Sequence, residues 1–161
     1  MRSVVETALS GLGPRLGGAI SELRQLSGGA SQETWSFRAG EADLILRRRA
    51  GGASLSNATA LATEAALIKA AGAVGVPTPA VVHICTPSDG LGEAYVMSRV
   101  EGETLGRRIV REPAFAQVRK TLAFRCGEAL AAIHSLALDG LPPLERMDAP
   151  AVIDRYEAIY R

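Results

Sequence analysis

Ser27, Gly28, Gly29, Ala30 and Ser31 set two adjacent glycines among small residues. With no Cβ in the way, the backbone N–H groups of such a turn can converge on an anion, so the chemistry on offer is phosphate binding. Alone, the same stretch is an ordinary hairpin connection, because Gly-Gly turns join strands readily. Two charged residues further along suit the same task. Arg47 closes the apolar run Leu44-Ile45-Leu46, and Glu64 lies inside the alanine- and leucine-rich stretch from Leu61 to Ala71. A buried carboxylate needs a partner, and a guanidinium supplies a bidentate one. The plainer alternatives are a solvated arginine at a strand end and an exposed helix glutamate. Lys69 stands five residues from Glu64, a poor spacing for a pair along one helix.

These residues need elements to hold them. Residues 3–16 read as a short amphipathic helix, weakened by Gly11, Gly13 and Pro14. Residues 20–27 read as a strand, although Ile20, Leu23 and Leu26 fit neither period well. Residues 32–38, with Thr34, Trp35 and Phe37, make its hairpin partner. Residues 43–48 form a third strand, on which Arg47 and Arg49 share one face and Arg48 takes the other. A helix follows, capped by Asn57 or Thr59. It presents Leu61, Ala62, Ala65 and Ile68 on one face and ends near Ala71, with Gly72 as a left-handed cap. Residues 80–85 and 93–100 are strands, the second alternating Ala94, Val96 and Ser98 against Tyr95, Met97 and Arg99. Residues 104–110 form a short helix. Pro113 opens a long one reaching about Leu136, with Phe115, Val118, Leu122, Cys126, Ala129 and Ile133 along one stripe. Residues 149–160 are helical. The order predicts an α+β fold in which the first three strands are antiparallel neighbours and helices gather after the sheet.

Composition narrows the function. The 161 residues suit one domain or one and a part, and 47% hydrophobic content is enough for an ordinary core. A net charge of +1 gives no global field to recruit nucleic acid or a membrane surface, so neither is expected as a partner. Cys85 and Cys126 show no paired-ligand spacing, so no zinc site is expected; both read as reduced thiols of a cytoplasmic protein. The first residues lack the apolar core of a signal peptide, and no run reaches the roughly 20 apolar residues of a membrane helix.

The stretches LSGGASQETWSF, LILRR, EAALIKAAGAVGVPTPAVV, YVMSRVEGETL and GEALAAIHSL follow one another at telling distances over roughly residues 20–137. As an ordered set they resemble the N-terminal half of the aminoglycoside phosphotransferase (choline kinase-like) family, a branch of the protein-kinase-like fold. The similarity is greatest to small-molecule phosphotransferases related to the kinase-like domain fused to some acyl-CoA dehydrogenases. The resemblance implies a nucleotide-binding lobe of five antiparallel strands and one helix over 1–100, then a hinge and the start of a helical C-terminal lobe over 101–161. It implies an ATP-dependent phosphotransferase acting on a small-molecule hydroxyl, with Mg²⁺ as the partner ion. Ser27, Gly28, Gly29, Ala30 and Ser31 would cover the phosphates, and Arg47 would reach the α- and β-phosphates, oriented by Glu64. Met97 would back the adenine slot, and Ser98 and Val100 would meet the base edge through their backbones. His134 matches the family's Leu/Ile-His-Ser pattern and reads as structural; His83 reads as an ordinary, partly buried strand histidine.

Two departures from the family pattern stand out. Arg47 occupies a position where most kinase folds have lysine, and a planar fork does not bind phosphate as a point charge does. The catalytic loop H-G-D-x-x-x-x-N and the later metal-binding aspartate are absent from the sequence. No catalytic or metal-ligating residue is therefore assigned, and the magnesium ligands are expected in a C-terminal lobe beyond this chain. The alternative reading is a non-catalytic nucleotide-binding or interaction module derived from such a kinase. The apolar stripe of the long helix leads to an expectation of self-association.

Overall fold

The computed structural model describes residues 2–28, 32–49, 59–144 and 148–160. Helix α1 (Arg2–Leu16) is followed by strands β1 (Ile20–Gly28), β2 (Gln32–Ala39) and β3 (Ala42–Arg49), then by helix α2 (Leu61–Ala73). Strand β4 (Val81–Ile84), a 3-10 turn (Pro87–Asp89) and strand β5 (Ala94–Ser98) complete the sheet. Helices α3 (Gly106–Arg111), α4 (Ala116–His134) and α5 (Ala149–Tyr160) come last. All strand pairs are antiparallel, in the order β1-β2-β3-β5-β4. This is the α+β architecture of a kinase-like N-terminal lobe followed by helices.

The alternation along each strand gives the sheet two faces with different tasks. Trp35, Phe37, Leu44, Leu46, Ala94 and Val96 point to one face, where α1 covers them. Val5, Leu9, Leu12 and Leu16 recur at helical spacing, and all are buried in that cluster. Each such side chain contributes roughly 1.5–3 kcal/mol of burial. On the opposite face a smaller cluster joins Leu61 and Ala65 of α2 to Tyr95, with Ile68, Val81, Ile84 and Met97 packed around it. Ala62, expected on that inner face, is exposed.

Two details of α2 differ from expectation. Its N-cap is Ala60, which has no side-chain cap of its own. The first turn is held instead from the sheet: Leu61 N–H donates to Glu93 Oε1, while Arg49 Nε lies 2.7 Å from Glu93 Oε2 and Arg49 Nη2 donates to Thr59 O at 3.1 Å. A carboxylate at a helix N-terminus meets both unpaired N–H groups and the positive end of the dipole. Asn57, the other expected cap, lies outside the described residues. At the other end Gly72 is still helical, and the left-handed residue is Gly75, at φ 87°. Gly72 is closely approached by a side chain: a Cβ there would stand 2.6 Å from Thr78 Oγ1, which would have to turn away.

The two-residue turn between β2 and β3 does need its glycine. Gly40 has φ 58°, and an added Cβ would lie 2.6 Å from the backbone carbonyl oxygen of Gly17. Gly40→Ala is expected to destabilise the fold by about 1–3 kcal/mol. Thermal denaturation should show a melting temperature several degrees lower; an unchanged value would refute the packing argument.

Buried hydrophobic side chains run from Val5 to Val96, and none of the described residues after Val96 is buried. The stripe expected on α4 is present as a stripe, but Val118, Leu122 and Ile133 are exposed. No described helix is long and apolar enough to cross a membrane.

Candidate functional site

Strand register assembles the site. Ser27 pairs with Thr34, Thr34 with Arg47, Arg47 with Tyr95, and Tyr95 with Ile84. These positions form one row across the sheet, so the β1–β2 connection springs from the end of the sheet where Arg47 stands. Ser27 and Gly28 close β1; Gly29, Ala30 and Ser31, the rest of the proposed phosphate lip, lie outside the described residues.

Arg47 projects to the α2 face, as alternation with the core residues Leu44 and Leu46 requires. There its Nε lies 3.0 Å from Glu64 Oε1. This ion pair lacks hydrogen-bond alignment at Nε, so the bidentate fork expected from sequence is not formed. Nη2 turns instead to Gln32 and donates to its Oε1 at 2.6 Å. The guanidinium is thus gripped from two sides, and Nη1 makes no hydrogen bond among the described residues. An arginine carries five N–H donors, so capacity remains for an anion. Both side chains are about one-third exposed, at 33% and 29%.

Sequence reasoning missed Tyr95. Its hydroxyl donates to Glu64 Oε1 at 2.8 Å, onto the same oxygen that faces Arg47. Burial first, and the Glu64 hydrogen bond and charge next, push the phenol's pKa well up, so it remains a donor. Tyr95 fixes the carboxylate that fixes the arginine. The signal was available, since alternation with Met97 puts Tyr95 on the site face; what the sequence hides is that β5 lies directly beside β3.

Beside this group is a cavity of about 430 Å³, lined by Thr34, Ile45, Pro77, Thr78, Pro79, Met97, Ser98 and Val100. The volume and the apolar lining suit a flat heterocycle. Met97 and Ile45 are cross-strand partners and share this wall. The cavity therefore contains the three residues expected around a base, Met97, Ser98 and Val100. The Ser98 N–H is already committed to Ala80 O at 2.8 Å, which leaves that residue its carbonyl alone for a base edge. The Val100 N–H makes no hydrogen bond among the described residues.

The model of a family described as the phosphotransferase enzyme family (APH) matches residues 22–158. The chain belongs to this phosphotransferase family. A curated relative, acyl-CoA dehydrogenase family member 11 from Gallus gallus, is 31% identical over 137 residues, covering 83% of this chain. The chain spans 17% of that relative's length. Membership of the phosphotransferase family agrees with the kinase-like order of strands and helices.

His134, the other residue of a family pattern, is exposed at the end of α4, far along the chain from the sheet. His83 is partly buried, as expected of a strand histidine, but it is engaged with Asp89.

Tyr95→Phe removes one donor from Glu64 and leaves the packing almost intact. One net hydrogen bond is worth about 0.5–1.5 kcal/mol, so the affinity for ATP of the nucleotide site proposed below should fall roughly two- to tenfold in a calorimetric titration. Equal affinity in both proteins would show that the tyrosine does not position the pair.

Proposed function

We propose that this chain is the nucleotide-binding portion of an ATP-dependent phosphotransferase acting on a small-molecule hydroxyl. The observation that carries the reading is the Arg47–Glu64 pair at 3.0 Å, on the same sheet face as the apolar cavity. In this reading the base enters the slot backed by Met97, its edge meeting the Ser98 carbonyl and the Val100 N–H. The α- and β-phosphates lie against Arg47, near the end of β1 at Ser27 and Gly28. Glu64 and Gln32 hold the guanidinium before the nucleotide arrives, so little side-chain freedom is lost on binding.

ATP fits this donor set; a magnesium ion does not. Glu64 already faces both Arg47 and Tyr95, and no carboxylate of the described residues lines the cavity. The ion's ligands are assigned to residues outside this site, and no step is derived through it. In the transfer the acceptor oxygen bonds the γ-phosphorus as the bond to the β–γ bridging oxygen breaks, and the acceptor's proton passes to a base. With no H-G-D-x-x-x-x-N in the sequence, we assign the base to no residue of this chain, and the chain alone is expected to bind and not to turn over.

Thermal denaturation with ATP tests the reading. At about 100 times the dissociation constant, binding adds roughly 2.7 kcal/mol of stability. A clear rise in melting temperature with ATP supports the proposal, and no rise with or without Mg²⁺ refutes it. The missing catalytic loop also favours a second reading, a nucleotide-binding module with no catalytic role. The encoding frame beyond Arg161 separates the two, since an H-G-D motif and a later aspartate supply the base and metal ligands only for the enzyme.

The exposed apolar side chains Val118, Leu122, Phe124 and Ile133 of α4 bear on the state of the isolated chain. Self-association through this helix is expected on concentration. Light scattering checks it: a growing mean mass supports it, and a monodisperse monomer at high concentration contradicts it.

A further inference from the structure

On the α1 side of the sheet, away from Arg47, the chain gathers an imidazole, a thiol and a carboxylate. His83 is on β4, paired with the core residue Val96. Cys85 follows two positions later and remains extended, its N–H donating to Ala94 O at 3.0 Å, so both side chains face the same way. The chain then turns at Thr86 through a capping box that folds Asp89 back onto the strand. The Asp89 Oδ2 lies 3.0 Å from His83 Nε2 and accepts from Thr86 N–H at 2.7 Å. The result is a set of one ligand atom from each of His83, Cys85 and Asp89, all within 4.8 Å of one another.

We propose that His83, Cys85 and Asp89 form a binding site for a zinc-type divalent ion. Borderline-soft cations accept this mixture of nitrogen, thiolate and carboxylate, and three protein ligands leave a fourth position for water. The carboxylate is ready for the role: its hydrogen bonds from the Thr86 N–H and from His83 hold its pKa down to about 2. The thiol is not, because burial, and then the Asp89 charge, push its pKa up to about 11. Binding must therefore expel the Cys85 proton to solvent. The coordinating ring nitrogen of His83 must give up any hydrogen to the other nitrogen or to water. Asp89 also lines a cavity of about 360 Å³ between α1 and the 3-10 turn, with Thr7, Gly11 and Arg15, which gives an approach from solvent. The Arg15 Nη1 lies 3.4 Å from Asp89 Oδ1 and competes for it, but its side chain is 66% exposed and free to withdraw. The bound ion would tie the end of β4 to the following turn beneath α1. It would stabilise the sheet and take no part in chemistry at the opposite face, so the proposal does not rest on the nucleotide reading.

The site is tested by titrating the metal-free full chain with Zn²⁺ by calorimetry, and with Co²⁺ as an optical probe. The expected result is one equivalent bound, a thiolate-to-cobalt charge-transfer band, and a melting temperature raised by Zn²⁺. Cys85→Ser and His83→Gln should each weaken binding at least about tenfold, the lower end of what even outer-shell changes cost. Cys126→Ser and His134→Gln should leave it unchanged. Affinity should fall as the pH is lowered, because the thiol proton then competes more strongly. Melting of the metal-free variants shows that they fold, and two independent ligand variants guard against one that does not. The proposal is overturned by the absence of stoichiometric binding to the wild-type chain. A cobalt spectrum without the thiolate band overturns it equally, as does binding that survives both Cys85→Ser and His83→Gln.

Discussion

Arg47→Ala is expected to lower ATP affinity about ten- to a hundredfold while the melting temperature of the free protein falls only slightly. A hydrogen bond to a charged group is worth about 1.5–3 kcal/mol, which sets that range. The small effect on stability follows from what alanine leaves behind. Glu64 keeps the Tyr95 hydroxyl at 2.8 Å and remains 29% exposed, so water can solvate its charge. Gln32 is released to solvent from a partly buried position. A site residue and a structural residue thus differ in which measurement moves. A calorimetric titration with ATP, paired with a melting curve, separates them; a large loss of stability with unchanged affinity would reverse the assignment. Arg47→Lys is a useful companion, since it restores the charge but not the planar fork that reaches both Glu64 and Gln32.

Trp35→Ala should have the largest effect on folding. Trp35 is 3% exposed, in the centre of the α1-side core. Truncating a buried tryptophan typically costs about 3–5 kcal/mol in lost burial and cavity. Here there is an added penalty: Trp35 Nε1–H donates to Glu33 Oε2 at 3.0 Å, and Glu33 is itself buried. Without the indole, Glu33 keeps Arg48, whose Nε lies 3.7 Å away without hydrogen-bond alignment. A buried carboxylate short of partners costs further stability. Urea denaturation should show a loss at or above 3 kcal/mol. Trp35→Phe, which keeps most of the ring volume but not the N–H, should lose less, and the remainder measures the Glu33 contact. A loss below about 1 kcal/mol for the alanine variant would contradict the proposed core.

Alternation made the strands legible. Residues 32–38, 43–48 and 93–100 were expected as strands, and β2, β3 and β5 occupy them to within two residues at each end. The opposed faces of Arg47 and Arg48 followed from the same rule. The first strand was harder, and the reason is physical. Ile20, Leu23 and Leu26 keep no period because β1 shifts register between Ser21 and Arg24 and again between Gln25 and Ser27, with Glu22 at φ 53°. A strand with two irregularities cannot show clean alternation. The α2 cap was misplaced for a related reason: its carboxylate partner, Glu93, is 32 residues away in sequence and arrives only through the sheet.

The site was partly legible for the same reasons. Arg47 and Glu64 were paired from their chemistry, and they do meet. Tyr95 and Gln32 were missed because their roles depend on which strands are neighbours. The order β1-β2-β3-β5-β4, in which β5 inserts next to β3, is not written in any local pattern. His83, Cys85 and Asp89 likewise have no ligand spacing in sequence; a strand end and one short turn bring them together.

The most direct test of the central claim is a calorimetric series with adenosine, AMP, ADP and ATP on the wild-type chain and on Arg47→Ala. If Arg47, set by Glu64, grips the phosphate tail beside the apolar slot, the two proteins bind adenosine alike and diverge at ADP and ATP. Equal affinities across the whole series, or no binding of ATP by the wild-type chain, would contradict the account.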